Sequence, residues 1–225
     1  MPKCPFAEFL ALTGTSGAHV GGPFKIIHHT TEGSSAVGAI AAFKKNRSDP
    51  HFTVDGMKIL QHIDTNDGAK ALKNVAGGVQ TNRDSAIQIE LVGFAGSRKN
   101  VPALTNLARL LRWLETQHTV PQVWPCGPPR THKNGKDPGG HNRDAAIWES
   151  TSGHYGHSQV PENVHWDPAY DSVELDFLMT ARFDDAGRLA NRSDAKVAPL
   201  FDRPPLGLDA DEPDVMDDHA FVGEE

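Results

Sequence analysis

The stretch Gly156-His157-Ser158-Gln159-Val160-Pro161-Glu162-Asn163-Val164-His165-Trp166-Asp167-Pro168 puts two imidazoles and a carboxylate into one loop stiffened by Pro161 and Pro168. Far upstream, Phe24-Lys25-Ile26-Ile27 is apolar and β-branched behind the Gly21-Gly22-Pro23 turn signal. It reads as a buried strand. That strand delivers His28 and His29 to the start of a Thr/Gly/Ser loop. Two imidazole nitrogens and a carboxylate drawn from separated segments are the donor set of an open zinc site. Such a site uses three protein ligands and leaves the fourth position for water. The chain has 12 histidines, so a surface or satisfied core role is the default for any one of them. His118, His132 and His141 are assigned that role. Only the combination of motifs in order rises above it.

Around these two segments the periodicity predicts further elements. The stretch 35–45 is Ala-rich, capped by Ser34 and basic at its end, as a helix prefers. Residues 51–63 read as a hairpin about Asp55-Gly56. A short helix is expected over 67–74. Residues 86–92 are mostly apolar and form the clearest strand, expected at the centre of a sheet. Leu104, Leu107, Leu110, Leu111 and Leu114 share one face of a long helix over 102–118. The stretch 120–149 is Pro/Gly/His-rich without periodicity, and a last helix is expected over 171–182 behind Asp171. The order predicts an α/β fold, a single domain with a mixed central β-sheet. Residues 1–22 are expected as an N-terminal arm, 23–185 as the catalytic domain and 186–225 as an acidic, partly disordered tail.

Charge is unevenly spread. The net charge is −7, but residues 201–225 hold nine acidic residues against Arg203 alone, so the rest of the chain is nearly neutral. No clustered basic face is available for nucleic acid, and no apolar run approaches a membrane span. Cys4 and Cys126 are too few for a disulfide scaffold or a Cys-rich zinc site. Glu8 interrupts the apolar run after Lys3, which makes a poor secretory signal. Synthesis in the cytoplasm, with action elsewhere after release or export, is the expectation that follows.

Three segments together, Ile26-Ile27-His28-His29-Thr30, Ser85-Ala86-Ile87-Gln88-Ile89-Glu90-Leu91 and the 156–168 loop, resemble the zinc amidases of the N-acetylmuramoyl-L-alanine amidase type 2 family. The resemblance covers roughly residues 23–181. It implies a mixed β-sheet flanked by helices with one zinc ion in a groove on the surface, and hydrolysis of the amide joining the lactyl group of N-acetylmuramic acid to L-alanine, with peptidoglycan or muropeptides as partners. Matching motif by motif, it implies His28, His157 and Asp167 as zinc ligands, with His29 pointing away because successive strand residues face opposite sides. It implies Glu90 as the general base. His165 stands where many relatives carry a lysine that steadies the oxyanion. Pro50 stands where some relatives carry a tyrosine, and Ala169 where glycine is common. Asn82 and Trp148 are candidate substrate contacts. The rival expectation on the same fold is a non-catalytic muropeptide-binding module. The complete donor set, with Glu90, weighs against it. Endolysin, exported effector and wall-recycling enzyme all remain open as contexts.

Overall fold

Along Ala86–Leu91 the apolar Ile87, Ile89 and Leu91 alternate with Gln88 and Glu90, yet all six residues are buried. A strand covered on both faces belongs inside a parallel sheet. In the computed structural model, which describes residues 3–204, it is the fourth of six strands. The strands are β1 (Glu8–Phe9), β2 (Gly17–Ala18), β3 (Lys25–Thr30), β4 (Phe52–Val54), β5 (Ile59–Gln61), β6 (Asp67–Gly68), β7 (Ala86–Leu91) and β8 (Gly153–Gly156). The main sheet has the order β1-β5-β4-β7-β3-β8. β4 and β5 are the antiparallel hairpin expected about Asp55-Gly56, and the other neighbours in this sheet are parallel. β2 and β6 pair separately. The mixed sheet flanked by helices is the fold the sequence predicted.

The helices are α1 (Ala36–Asn46), α2 (Val101–His118), α3 (Ala145–Ser150), α4 (Ser172–Thr180) and α5 (Ala198–Phe201). Ser35, one residue beyond the expected cap, accepts from the Gly38 N–H at the start of α1. Asn100 does the same for α2 through Ala103, and all five expected leucines of α2 are buried. They pack on Ile26, Ile87, Ile89 and Leu91, while Phe177 and Leu178 of α4 close the same core. Burying a Leu or Phe side chain contributes roughly 1.5–3 kcal/mol each, so this face of the sheet carries most of the stability. A smaller cluster on the opposite face gathers Ile27, Ala86, Trp148 and Tyr155.

Three expectations are corrected. No helix forms over 67–74. Asp67–Gly68 pairs with Gly17–Ala18, and the next amides are captured by buried side chains: Ala71 N–H by Gln88 Oε1 and Leu72 N–H by Asn82 Oδ1. Second, the N-terminal arm is built into the fold. β1 extends the sheet edge, and buried Asp49 Oδ2 accepts from the Thr13 N–H, Thr13 hydroxyl and Gly14 N–H. Third, the segment after residue 186 is not all tail. Val197 and Leu200 are fully buried in the main core, and Arg203 pairs with Asp171. The rest of the expected acidic tail, 205–225, lies outside the described residues. Both cysteines are buried and unbridged. Among the described residues no helix is long and apolar enough to cross a membrane.

The hairpin also sets an acid limit on stability. Fully buried His51 donates from Nε2 to the Asp67 carbonyl at 2.8 Å and accepts the Gln88 N–H at Nδ1 at 2.9 Å. Only the neutral ring can do both. Burial pushes its pKa down to about 3. A histidine depressed in the folded state leaves the unfolded chain to take up the proton first, so stability is complete above about pH 6.5 and falls as pH drops toward 3. His51 alone is expected to remove about 2 kcal/mol by pH 5, at 1.36 kcal/mol per pH unit. Urea midpoints at pH 7.5 and 5 test this, and equal midpoints contradict it.

Candidate active site

The site sits at the C-terminal ends of β3 and β7, where the register places His29 directly beside Glu90. The third parallel strand, β8, runs straight into a 3₁₀ turn, His157–Gln159, which brings His157 to the same place. The loop then returns with Asp167. His29 Nδ1 lies 3.0 Å from His157 Nδ1, and Asp167 Oδ1 is 3.1 Å from His157 Nδ1. Ligand atoms of His29, His157 and Asp167 all fall within 4.8 Å of one another. Glu90 Oε1 is 3.9 Å from His29 Nδ1. All four side chains are buried. The groove above them is also lined by Thr30, Glu32 and His165.

The hydrogen bonds behind these groups decide which atoms they present. Asn163 donates both amide protons, to the Lys73 and Pro161 carbonyls, so its Oδ1 is an acceptor. His157 Nε2, 3.1 Å from that oxygen, must therefore carry the ring proton. Its Nδ1 then offers a lone pair to the site. The Thr30 N–H holds Asp167 Oδ2 at 3.0 Å. A lone pair, a carboxylate oxygen and a second imidazole nitrogen thus converge with at most one proton among them. That is a cation-binding arrangement, and its donors are those zinc prefers. The outer partners, Asn163 and the Thr30 N–H, orient the donors as outer shells of metal sites do.

Electrostatics separate the two carboxylates. Burial works to raise the pKa of Asp167, but the imidazoles of His157, His29 and His165 outweigh it and hold the carboxyl well below the ordinary range. Burial pushes Glu90 well above that range, helped by the charges of Asp167 and Glu32. Glu90 Oε2 and His29 Nε2 are buried and have no hydrogen-bond partner among the described residues. A carboxylate tuned to ionise and another tuned to take a proton, side by side, form a division of acid–base labour.

His28 is on the other side of the sheet, which corrects the ligand set expected from the motif. Its Nε2 lies 3.0 Å from His154 Nδ1 and its Nδ1 lies 3.3 Å from the Tyr170 hydroxyl. His154 in turn faces Glu115 of α2 at 3.2 Å. The alternation of β3 was read correctly and its phase was inverted: His29 faces the site and His28 faces the helices.

The family's sequence profile, described as N-acetylmuramoyl-L-alanine amidase, matches residues 23–170. The chain belongs to the N-acetylmuramoyl-L-alanine amidase family. The amidase shares its fold with the Staphylococcus aureus hydrolase AmiA, solved in complex with its ligand, at 16% identity and a TM-score of 0.52 over 79% of this chain and 83% of that one. A mutant endolysin from Bacillus subtilis is 24% identical over 52% of this chain and 79% of its own, with a TM-score of 0.40. The amidase LysC from Clostridium intestinale URNW is 19% identical over 52% and 78%, with a TM-score of 0.41. No curated protein matches the chain. Family membership makes the chain a hydrolase, an amidase of peptidoglycan.

Of the other residues singled out from sequence, His165 lies at the amidase groove, its ring stacked on His157 with centroids 4.6 Å apart. Asn82 does not reach the groove. It is buried, with Oδ1 accepting from Leu72 and Gln88 and Nδ2 donating to the Leu72 carbonyl. Trp148 is fully buried against Tyr155, its indole N–H on the Gln80 carbonyl, so it packs the smaller core and cannot stack on a sugar. Glu32 was missed. Its backbone is left-handed (φ 46°), and Oε1 accepts from the Thr30 hydroxyl at 2.5 Å and the Ala95 N–H at 2.8 Å. The Thr-Glu-Gly turn after the His-His pair was the available signal. Ala169, noted where glycine is common, has φ 48°, a backbone glycine adopts without the steric cost an alanine bears.

Proposed function

We propose that this amidase hydrolyses the amide between the lactyl group of N-acetylmuramic acid and L-alanine, using one zinc ion held by His29, His157 and Asp167. The observation that carries the reading is the convergence of those three donors beside a buried carboxyl, Glu90. A zinc ion bound there supplies Lewis-acid chemistry, polarising the scissile carbonyl and making a water acidic enough to react near neutral pH. Glu90, raised in pKa by burial, takes a proton from the attacking water and returns it to the departing L-alanine nitrogen. Oε2, which has no hydrogen-bond partner among the described residues, is the oxygen free to do so. His165 at the groove donates an N–H to the tetrahedral oxyanion.

The test is amide cleavage of purified peptidoglycan by zinc-loaded protein, read by mass spectrometry beside a chelated control. Release of peptides with an L-alanine N-terminus, abolished by chelation and restored by zinc, is the expected result. Stoichiometric zinc binding without any such release points instead to a muropeptide binder. Within this scheme His165→Ala is expected to lower kcat by about 10²–10³, the loss seen when one oxyanion donor is removed. Its KM should move little. A rise in KM with kcat intact would remove His165 from the reaction.

A further inference from the structure

The chain from Lys73 to Gly78 is exposed and has no regular structure, while its root, Ala71, is buried and lines the amidase groove. Short-range bonds close the segment on itself. Asn82 takes the Leu72 N–H and donates to the Leu72 carbonyl, the Thr81 hydroxyl donates to the Lys73 carbonyl, and Asn74 Oδ1 accepts the Thr81 N–H. Two side chains then fasten it to the loop that carries the metal donors. Glu162 Oε1 accepts the Val79 N–H at 3.0 Å, and Gly78 packs so closely on that carboxylate that an added Cβ would overlap it. Asn163, only 2% exposed, accepts the Lys73 N–H at 3.0 Å and donates to the Lys73 carbonyl at 3.1 Å, the exchange a neighbouring strand would make.

The same amide faces the site. Its Oδ1 also takes the His157 Nε2–H at 3.1 Å, and its second N–H goes to the Pro161 carbonyl at 2.9 Å. A side-chain amide has two donors and an oxygen with two lone pairs. All four are spent here, two of them on Lys73. That closure decides which end of the amide His157 meets. With Lys73 gone, a single bond to the Pro161 carbonyl opposes a turn that would aim Nδ2 at the imidazole. In that orientation Nε2 must accept, the ring proton moves to Nδ1, and the lone pair offered to a metal is lost.

We propose that Asn163 is a positioning residue through which docking of the 73–79 segment and metal binding at His157 stabilise each other. The docked segment locks the Asn163 amide, and the amide keeps Nδ1 of His157 available to zinc. Zinc on Nδ1 in turn holds the ring proton on Nε2, which favours the orientation of Asn163 that clasps Lys73. Such coupling is reciprocal: the factor by which docking tightens the metal is the factor by which the metal favours docking. The groove wall and the loaded metal are therefore assembled together, because the segment is continuous with Ala71. This coupling rests on His157 being a zinc ligand.

Amide hydrogen exchange followed by NMR, with zinc affinity from competition against a chromophoric chelator, gives the test. In wild type, zinc is expected to slow exchange at the Val79 amide, which is bonded to Glu162 and to none of the ligands. The factor should be about fivefold or more, the lower end of ordinary coupling between sites. Asn163→Ala should raise the zinc Kd about 10–100-fold, the usual loss for an outer partner of a ligating group, and make Val79 exchange independent of zinc. A role for Asn163 in folding alone would speed exchange at Val79 and leave its zinc dependence in place, against the coupling. Glu162→Ala loosens the segment from an exposed side chain, and covers the case where the buried substitution does not fold. It should speed exchange at the Lys73 amide and weaken zinc binding with Asn163 and every ligand intact. Zinc that binds wild type without slowing Val79 overturns the coupling, as does wild-type zinc affinity in either folded variant. A wild type that takes up no zinc overturns the metal reading on which the coupling stands.

Discussion

Replacing His29 with alanine is expected to abolish zinc binding and amidase activity together, whereas His28→Ala keeps the zinc and loses stability. The two histidines are neighbours in sequence and their side chains lie on opposite faces of β3. His29 is paired in register with Glu90 and touches His157; His28 touches His154 and Tyr170 under the helices. Removing one of three ligands should cost more than the 10–100-fold typical of groups that merely support a ligand. At His28 the loss is of another kind. His154 Nδ1 and the Tyr170 hydroxyl, both buried, would be left without this partner, at about 1–3 kcal/mol for each group. Zinc content by elemental mass spectrometry and a urea midpoint on each variant give the result. His28→Gln, which keeps a polar group there, covers the case where the alanine variant does not fold. Zinc lost from a folded His28 variant and retained by His29→Ala would return the ligand to the position the motif first suggested.

The inversion shows what the sequence could and could not carry. β7 has an unambiguous face, because Gln88 and Glu90 alternate with Ile87, Ile89 and Leu91. β3 has none: Ile26 and His28 on one face match Ile27 and His29 on the other in composition, and both faces are buried. Alternation fixes that the two histidines diverge, but only the pairing of His29 with Glu90 chooses between them. His157 and Asp167 were legible because both lie in one Pro-bounded loop. Asn82 and Trp148 were misread for a related reason. Each lies near the motifs in sequence, and each spends its polar group on a backbone carbonyl, that of Leu72 for one and of Gln80 for the other. The helix expected over 67–74 failed because its amides are captured by Gln88 and Asn82, partners distant from the segment itself. Local propensity carries no information about such captures. The long leucine-faced helix, by contrast, was legible because its buried leucines recur along one periodic stripe.

Glu90→Gln should lower kcat by about 10²–10⁴, the scale of general acid–base help, with zinc still bound and KM little changed. Glutamine has the same shape and cannot take a proton. A fall in activity alone could come from a damaged fold, but the burial of Glu90 supplies a second readout that moves the other way. An acid whose pKa is raised in the folded state opposes folding when it is ionised, so its destabilising effect is present above the unfolded value of about 4.5 and vanishes below it. Glu90 is raised by burial, helped by the charges of Asp167 and Glu32. At pH 7 the metal-free Glu90→Gln variant is therefore expected to melt higher than metal-free wild type, while its zinc-loaded form turns over far more slowly. Gains of this sign mark residues kept for chemistry at the expense of stability. A variant that melts lower and cleaves at the wild-type rate would make Glu90 a structural carboxyl and leave the groove without a base.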